Sequence, residues 1–396
     1  MCVIAPLARA EDPISRLQQR LDCGKAKLTS GSSRGYLESL LHELKIPVSS
    51  QGLVFSKTSF QAPKISPQAP RALYFNDDVY VGWVRGGEVI EIASVDAREG
   101  PVFYTLPQTA GAKPKFIRQD SACMQCHVSS QTAERPGLLM RSLFADGDGR
   151  PIFSAGTFVT TDQSPFKERW GGWYADGKVA TASMANRLCN DPSHPENFTP
   201  TDLKAFDLSA YLGSHSDVVA LSVLAHQTRV HNLIAQARDT TLAALRQQSD
   251  MARFVGERDE ELAASTRKRI SYACEPLVRA MLFSEEAFSA PVSGSSNFAH
   301  EFQSMGPRDS HGRSLRDFDL QHRLFRYPCS YLIYSEQFDA LPDAAKAVIY
   351  RRLWQVLTGR DASPEFGHLS DADCDAIYQI LAETRTGLPE YWKPRS

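Results

Sequence analysis

Apolar positions recur every three or four residues at both ends of the chain and every second residue in between. Ile14, Leu17 and Leu21 form one stripe and Tyr36, Leu37, Leu40, Leu41 and Leu44 another, spacings that predict two short amphipathic helices within 11–48. Gly31-Ser32-Ser33 separates them and Pro47 closes the second. From about 52 to 106 the period falls to two. Leu73-Tyr74-Phe75, then 79–84, 89–93 and Val102-Phe103-Tyr104, read as strands joined by turns at Asn76-Asp77-Asp78 and Arg85-Gly86-Gly87-Glu88, which predicts a small antiparallel sheet. Asp146-Gly147-Asp148-Gly149 turns into a further predicted strand over 152–159; it lacks the distal Glu of a calcium loop.

Beyond about 200 the helical period returns. Thr199-Pro200-Thr201-Asp202 has the residues of a helix start, and 216–246 is the longest helical pattern in the chain. Further helices are predicted over about 255–283, with a kink at Pro276, over 343–357 and over 370–385, the last ending before Pro389. The expected class is α+β: a small antiparallel β-rich part, then a mainly α-helical C-terminal half. The expected divisions are a signal-peptide remnant (1–10), N-terminal helices (11–50), a β-rich region (51–198) and a mainly helical region (199–396).

Composition adds exclusions. The chain has 396 residues, enough to bury a sizeable core. Lys and Arg (44) nearly balance Asp and Glu (46), so no nucleic-acid-binding surface spread over the protein is expected. No apolar run approaches the roughly 20 residues of a membrane-spanning helix, so no integral span is expected. Ala8-x-Ala10 before Glu11-Asp12 has the small-residue pattern of a secretory cleavage site, which predicts a periplasmic or secreted protein.

One motif changes the picture. Cys123-Met124-Gln125-Cys126-His127 is a Cys-x-x-Cys-His sequence, and each residue has a chemical task. The two thiols add to the two vinyl groups of haem, and the adjacent His becomes an axial iron ligand. The predicted cofactor is therefore one covalent haem c. A zinc site would need a second ligand pair at suitable spacing, which the sequence lacks. A redox dithiol would sit in a βαβ pattern, whereas antiparallel strands precede this one. Five cysteines remain besides Cys2 and the motif: Cys23, Cys189, Cys274, Cys329 and Cys374. That odd number leaves at least one thiol unpaired within the chain and admits one or two disulfides or buried free thiols.

The sixth iron position has several candidates. His226 lies on an apolar stripe with Val219, Val223, Val230, Leu233 and Ala237, where a haem wall and a neutral imidazole would coincide. His231 lies about 140° further round the helix. Met184 and Met140 offer thioethers, and an open position is the remaining option. Trp170, Trp173 and Tyr174 are candidate aromatic neighbours of a porphyrin, and Arg118, Arg141 and Arg169 candidate partners of its propionates. The polar stretch 308–313 reads as an exposed loop.

Several stretches resemble a family of large single-haem c-type proteins of planctomycete-like environmental bacteria. They are 55–59, 70–82, the haem motif, Glu168-Arg169-Trp170-Gly171-Gly172-Trp173-Tyr174, His226-Gln227-Thr228-Arg229 with His231-Asn232, and 327–335. The resemblance implies haem binding and export, without a reaction. Relatives carry His-x-Gly-Asn after the Trp-Gly-Gly-Trp-Tyr run, where this chain has Ser183-Met184-Ala185-Asn186. Two functions are open at this point. One is electron transfer with a periplasmic redox partner. The other is a haem enzyme or small-ligand binder for a peroxide-like or nitrogen-oxide oxidant or reductant. A subunit role in a larger redox complex is a third.

Overall fold

Asp12 is the first residue described. Its carboxylate accepts from the N–H of Ile14 at 2.9 Å and so caps helix α1 (Pro13–Asp22), which has Pro13 in the first turn. The same carboxylate accepts from the Tyr104 hydroxyl at 2.7 Å, which ties the helix to the sheet. The computed structural model describes residues 12–31, 33–109, 113–256, 261–288, 291–361 and 363–392; the signal-like residues 1–10 lie outside them. Helix α2 (Leu37–Glu43) follows, and the two predicted N-terminal stripes are its buried face and that of α1.

The strands are β1 (Gly52–Val54), β2 (Arg71–Phe75), β3 (Val79–Trp83), β4 (Val89–Asp96), β5 (Gly100–Pro107) and β6 (Ile117–Arg118). Helix α3 (Met124–His127) carries most of the cysteine–histidine motif. A two-stranded pair, β7 (Arg141–Leu143) with β8 (Thr157–Val159), comes next. Then β9 (Trp173–Tyr174) returns to pair with β1. The main sheet is antiparallel with order β6-β5-β4-β3-β2-β1-β9.

Alternation along these strands separates two cores. Ala72, Tyr74, Val79, Val81, Ile90, Ile92 and Tyr104 face α1 and α2. Leu73, Phe75, Tyr80, Ala93 and Val95 face the other way, toward the helical half. That half is built on α4 (Val218–Val255), which starts at the Asp217 cap and stops at Gly256. Every residue from Ser216 to Thr228 is buried, because this stretch runs between the sheet and the later helices. Those are α5 (Ala264–Met281, containing Pro276), α6 (Phe298–Ser304), α7 (Glu336–Asp339), α8 (Asp343–Leu357) and α9 (Asp371–Thr384). The protein is α+β, with a β-rich first half and a mainly helical second half.

Two predicted elements are shorter than expected. The strand over 152–159 is reduced to β8, because a single helical turn at Phe153–Ala155 and Gly156 at φ 120° break the extended run. The helix start at 199–202 yields one turn, Leu203–Ala205, capped by Asp202. No disulfide joins the described cysteines: Cys189, Cys274 and Cys329 are buried thiols, and Cys23, Cys123, Cys126 and Cys374 are also free.

Candidate cofactor site

On the sheet face turned toward α4 the side chains are small or absent at two central positions, Gly82 and Ala93. A cleft lies over them, closed on one side by Leu224 and Thr228 of α4 and on another by the segment from Cys123 to Met140. Its cavity volume is about 160 Å³, below the roughly 300–1,000 Å³ of small-molecule and cofactor sites. Cys123, Cys126 and His127 all line it.

The imidazole of His127 is held in one orientation. Its Nδ1 lies 2.8 Å from the Gly137 carbonyl oxygen; a carbonyl only accepts, so Nδ1 carries the hydrogen and Nε2 keeps its lone pair. No described residue hydrogen-bonds Nε2. Burial pushes the His127 pKa below its ordinary value, against the Gly137 hydrogen bond, so the ring is neutral at pH 7. The Phe103 ring packs 4.3 Å away, centroid to centroid. A neutral imidazole with its second nitrogen fixed by a carbonyl is the usual arrangement of a metal-ligating histidine.

The carbonyl is itself placed by α4. Asn232 accepts from the Leu138 N–H and donates to the Leu138 carbonyl, both at 2.8 Å, which pins the chain next to Gly137. A Cβ at Gly137 would lie 2.6 Å from Thr132 Cγ2 and 3.1 Å from Asn232 Oδ1, so only glycine admits this approach. Cys123 is a protonated thiol at neutral pH: burial and the nearby Glu91 charge push it up to about 11.

The donor atoms are those that haem c would need: two unpaired thiols and one pre-oriented neutral imidazole, beside the apolar residues Leu73, Ala93 and Phe103. Of the expected aromatic neighbours, Trp173 lines the cleft, with its Nε1–H given to the Arg141 carbonyl at 2.7 Å. Trp170 packs edge-on against Phe166, and Tyr174 belongs to the opposite core.

The structure does not bring His226 to this cleft. Its Nδ1 lies 2.8 Å from Asp162 Oδ2 and its Nε2 2.8 Å from Ser330 Oγ, with Phe283 stacked on the ring. Both nitrogens are committed, so the sixth-ligand expectation is corrected for this residue. His231 is committed likewise, to Gln337 and the Asp77 carbonyl. Met184 lies in a separate cleft with Leu143, Arg187 and Phe198. Met140, buried, is the one expected axial candidate that lines the cleft. Among the expected propionate partners, Arg169 is spent on the carbonyls of Asp162, Ser164 and Ala287, and Arg118 on Glu99 and Asp120. Strand pattern alone did not single out Arg71 and Glu91, which line the cleft and pair at 2.9 Å.

Ser330, His226 and Asp162 have the connectivity of a hydrolytic triad, but all three are buried and Ser330 is sealed from solvent, so the array is structural. Asp309, His311 and Glu383 bring ligand atoms within 4.8 Å of one another, yet Asp309 is held by Arg313 and Glu383 by Ser310.

The His226 network makes one pH prediction. Burial, reinforced by the Asp162 charge, pushes Glu286 up to about 7, while Arg169, Arg323 and the Leu324 N–H pull the other way. The folded state therefore holds this proton more tightly than the unfolded chain does. The contribution of Glu286 is fully present below about pH 4.5 and is lost as pH rises through 7. Glu286→Gln is expected to stabilise the protein at pH 8 by about 1–2 kcal/mol, a figure discounted because the residue is half-buried. Urea melts at several pH values check this: the gain shrinks toward pH 4.5, and a pH-independent difference contradicts the assignment.

No protein-family model, curated protein or solved structure matches the chain. The reading of the site therefore rests on its own geometry. No described helix is long and apolar enough to cross a membrane.

Proposed function

We propose that this chain is an exported haem c protein whose principal task is electron transfer with a periplasmic redox partner. The observation that carries the proposal is the cleft lined together by Cys123, Cys126 and a His127 whose Nδ1 is already engaged by the Gly137 carbonyl. A haem bound there supplies a one-electron iron couple. The protein's part is to hold and shield it. Cys123 and Cys126 would hold the haem through its vinyl groups, and His127 Nε2 would supply an iron-ligating nitrogen. Leu73, Ala93, Phe103 and Leu224 exclude water, which sets the potential as much as the ligands do. Met140, which lines the same cleft, would offer a thioether as a further iron ligand and so raise the potential. Export follows from the same chemistry, because bacteria attach haem covalently outside the cytoplasm, and from Ala8-x-Ala10.

One observation favours a second reading, a binder or enzyme for a small oxidant. The ion pair Arg71–Glu91 and the Tyr80 ring line the same cleft, a polar lining that electron transfer alone does not require. One experiment tests both. The chain is co-expressed with the bacterial haem-attachment machinery, weighed intact, and its spectra are taken oxidised, reduced and with carbon monoxide. One haem per chain, low-spin and indifferent to carbon monoxide, is expected for electron transfer. Prompt carbon monoxide binding transfers the case to the second reading, and absence of covalent haem overturns both.

A further inference from the structure

Arg71 belongs to the strand face that floors the cleft, beside Leu73 and Phe75. Its side chain lies across Gly82: a Cβ there would lie 3.6 Å from both Arg71 Cδ and Glu91 Cβ. The missing side chain lets the guanidinium span β3 and give its Nη1–H to Glu91 Oε2 at 2.9 Å. Glu91 is in turn saturated from its other side, since Oε1 accepts from Ser59 Oγ and from Gln61 Nε2 at 2.8 Å. Three donors thus fix the carboxylate and disperse its charge. Arg71 Nε–H, by contrast, is buried and has no partner among the described residues. A buried donor left unmade costs about 1–3 kcal/mol, and here it belongs to a cation held by Glu91 in the lining of the cleft.

We propose that Arg71 is the receptor for an anionic oxygen inside this cleft, with the Nε and Nη2 edge of its guanidinium as the donor. The ligand is either a haem propionate or a small free oxyanion such as nitrite, which share the charge and geometry that a guanidinium recognises. This assignment rests on the haem reading above. Glu91 is the positioning residue: it orients the fork and fills Nη1, which leaves Nε and Nη2 for the ligand. The neutral thiols and imidazole add no charge, and Glu91, the one carboxylate lining the cleft, already accepts from three donors.

The test compares the haem-loaded wild type with Arg71→Leu and Arg71→Lys, the lysine keeping the charge while losing Nε–H. Covalent haem per chain is measured first, by intact mass. Nitrite affinity of the ferric protein is then measured by optical titration. The reduction potential and the propionate bending band in resonance Raman complete the set. If the ligand is free oxyanion, nitrite binds about tenfold more weakly to both variants, with the propionate band unmoved. If it is a propionate, that band shifts and the leucine variant's potential falls, with nitrite affinity unchanged. Haem-loaded variants that match the wild type in all three overturn the Arg71 assignment alone. A wild type without covalent haem overturns the parent reading and this one with it.

Discussion

Replacing Asp162 by alanine lowers the unfolding free energy by about 3–5 kcal/mol, the usual cost of leaving a buried charge without its partner. The carboxylate accepts from Arg229 Nη1 at 2.9 Å through one oxygen and from His226 Nδ1 at 2.8 Å through the other. The Asp162 carbonyl accepts from Arg169 and the Ala287 N–H. Alanine removes the one negative charge facing Arg229 and leaves the His226 N–H unpaired. Asparagine keeps an acceptor without the charge, and about half the loss is expected. Burial alone would raise the Asp162 pKa, but the Arg229 charge and the His226 hydrogen bond overcome it and hold the group at about 2. Its folded pKa lies below its unfolded one, so its contribution is present above about pH 4 and disappears as pH falls through 2. In urea melts the wild type loses about 2 kcal/mol over that interval by this route, and Asp162→Asn lacks the loss. A loss under about 1 kcal/mol for the alanine variant at pH 7 contradicts the network as described.

A protein with both Cys123 and Cys126 changed to alanine acquires no covalent haem, although its fold persists. Two thioether bonds are the only covalent link the motif offers. Each single variant retains one, so both singles still carry haem through denaturation and only the double loses it. The fold is expected to survive because Cys126 is exposed and Cys123 only partly buried, where truncation costs under about 1 kcal/mol. Intact mass and the haem band in a denaturing gel give the answer, with circular dichroism as the control for folding. A double variant that still holds haem through denaturation would falsify the assignment of these thiols.

Much of the architecture was legible because it is local. Alternation over 73–104 located β2 to β5, and the unbroken three-four spacing after 216 located α4. The closing strand β9 was not legible: two residues at a sheet edge carry no pattern, and their partner is β1, far back in the chain. The stripe holding His226 was legible as a buried helix face, but what covers it was not. Asp162 lies 64 residues away and Ser330 104, and only the tertiary fold brings them to the two ring nitrogens. Arg71 was legible in principle, since it shares its strand face with Leu73 and Phe75. Its purpose emerges only when Gly82 and Glu91 are seen beside it. The Cys-x-x-Cys-His motif stood out because its chemistry is compressed into five consecutive residues.

Phe103 and Tyr104 are neighbours on β5 that point to opposite sides: Phe103 touches His127, and Tyr104 is bound by Asp12. The wall behind His127 is thus anchored at its back by the residue that caps α1. Cleavage after Ala10 would leave that anchor as the second residue of the mature protein. Trimming two residues further would cut it. A cut beyond Asp12, wherever it arises, would therefore loosen the wall of a cleft that Asp12 itself does not line.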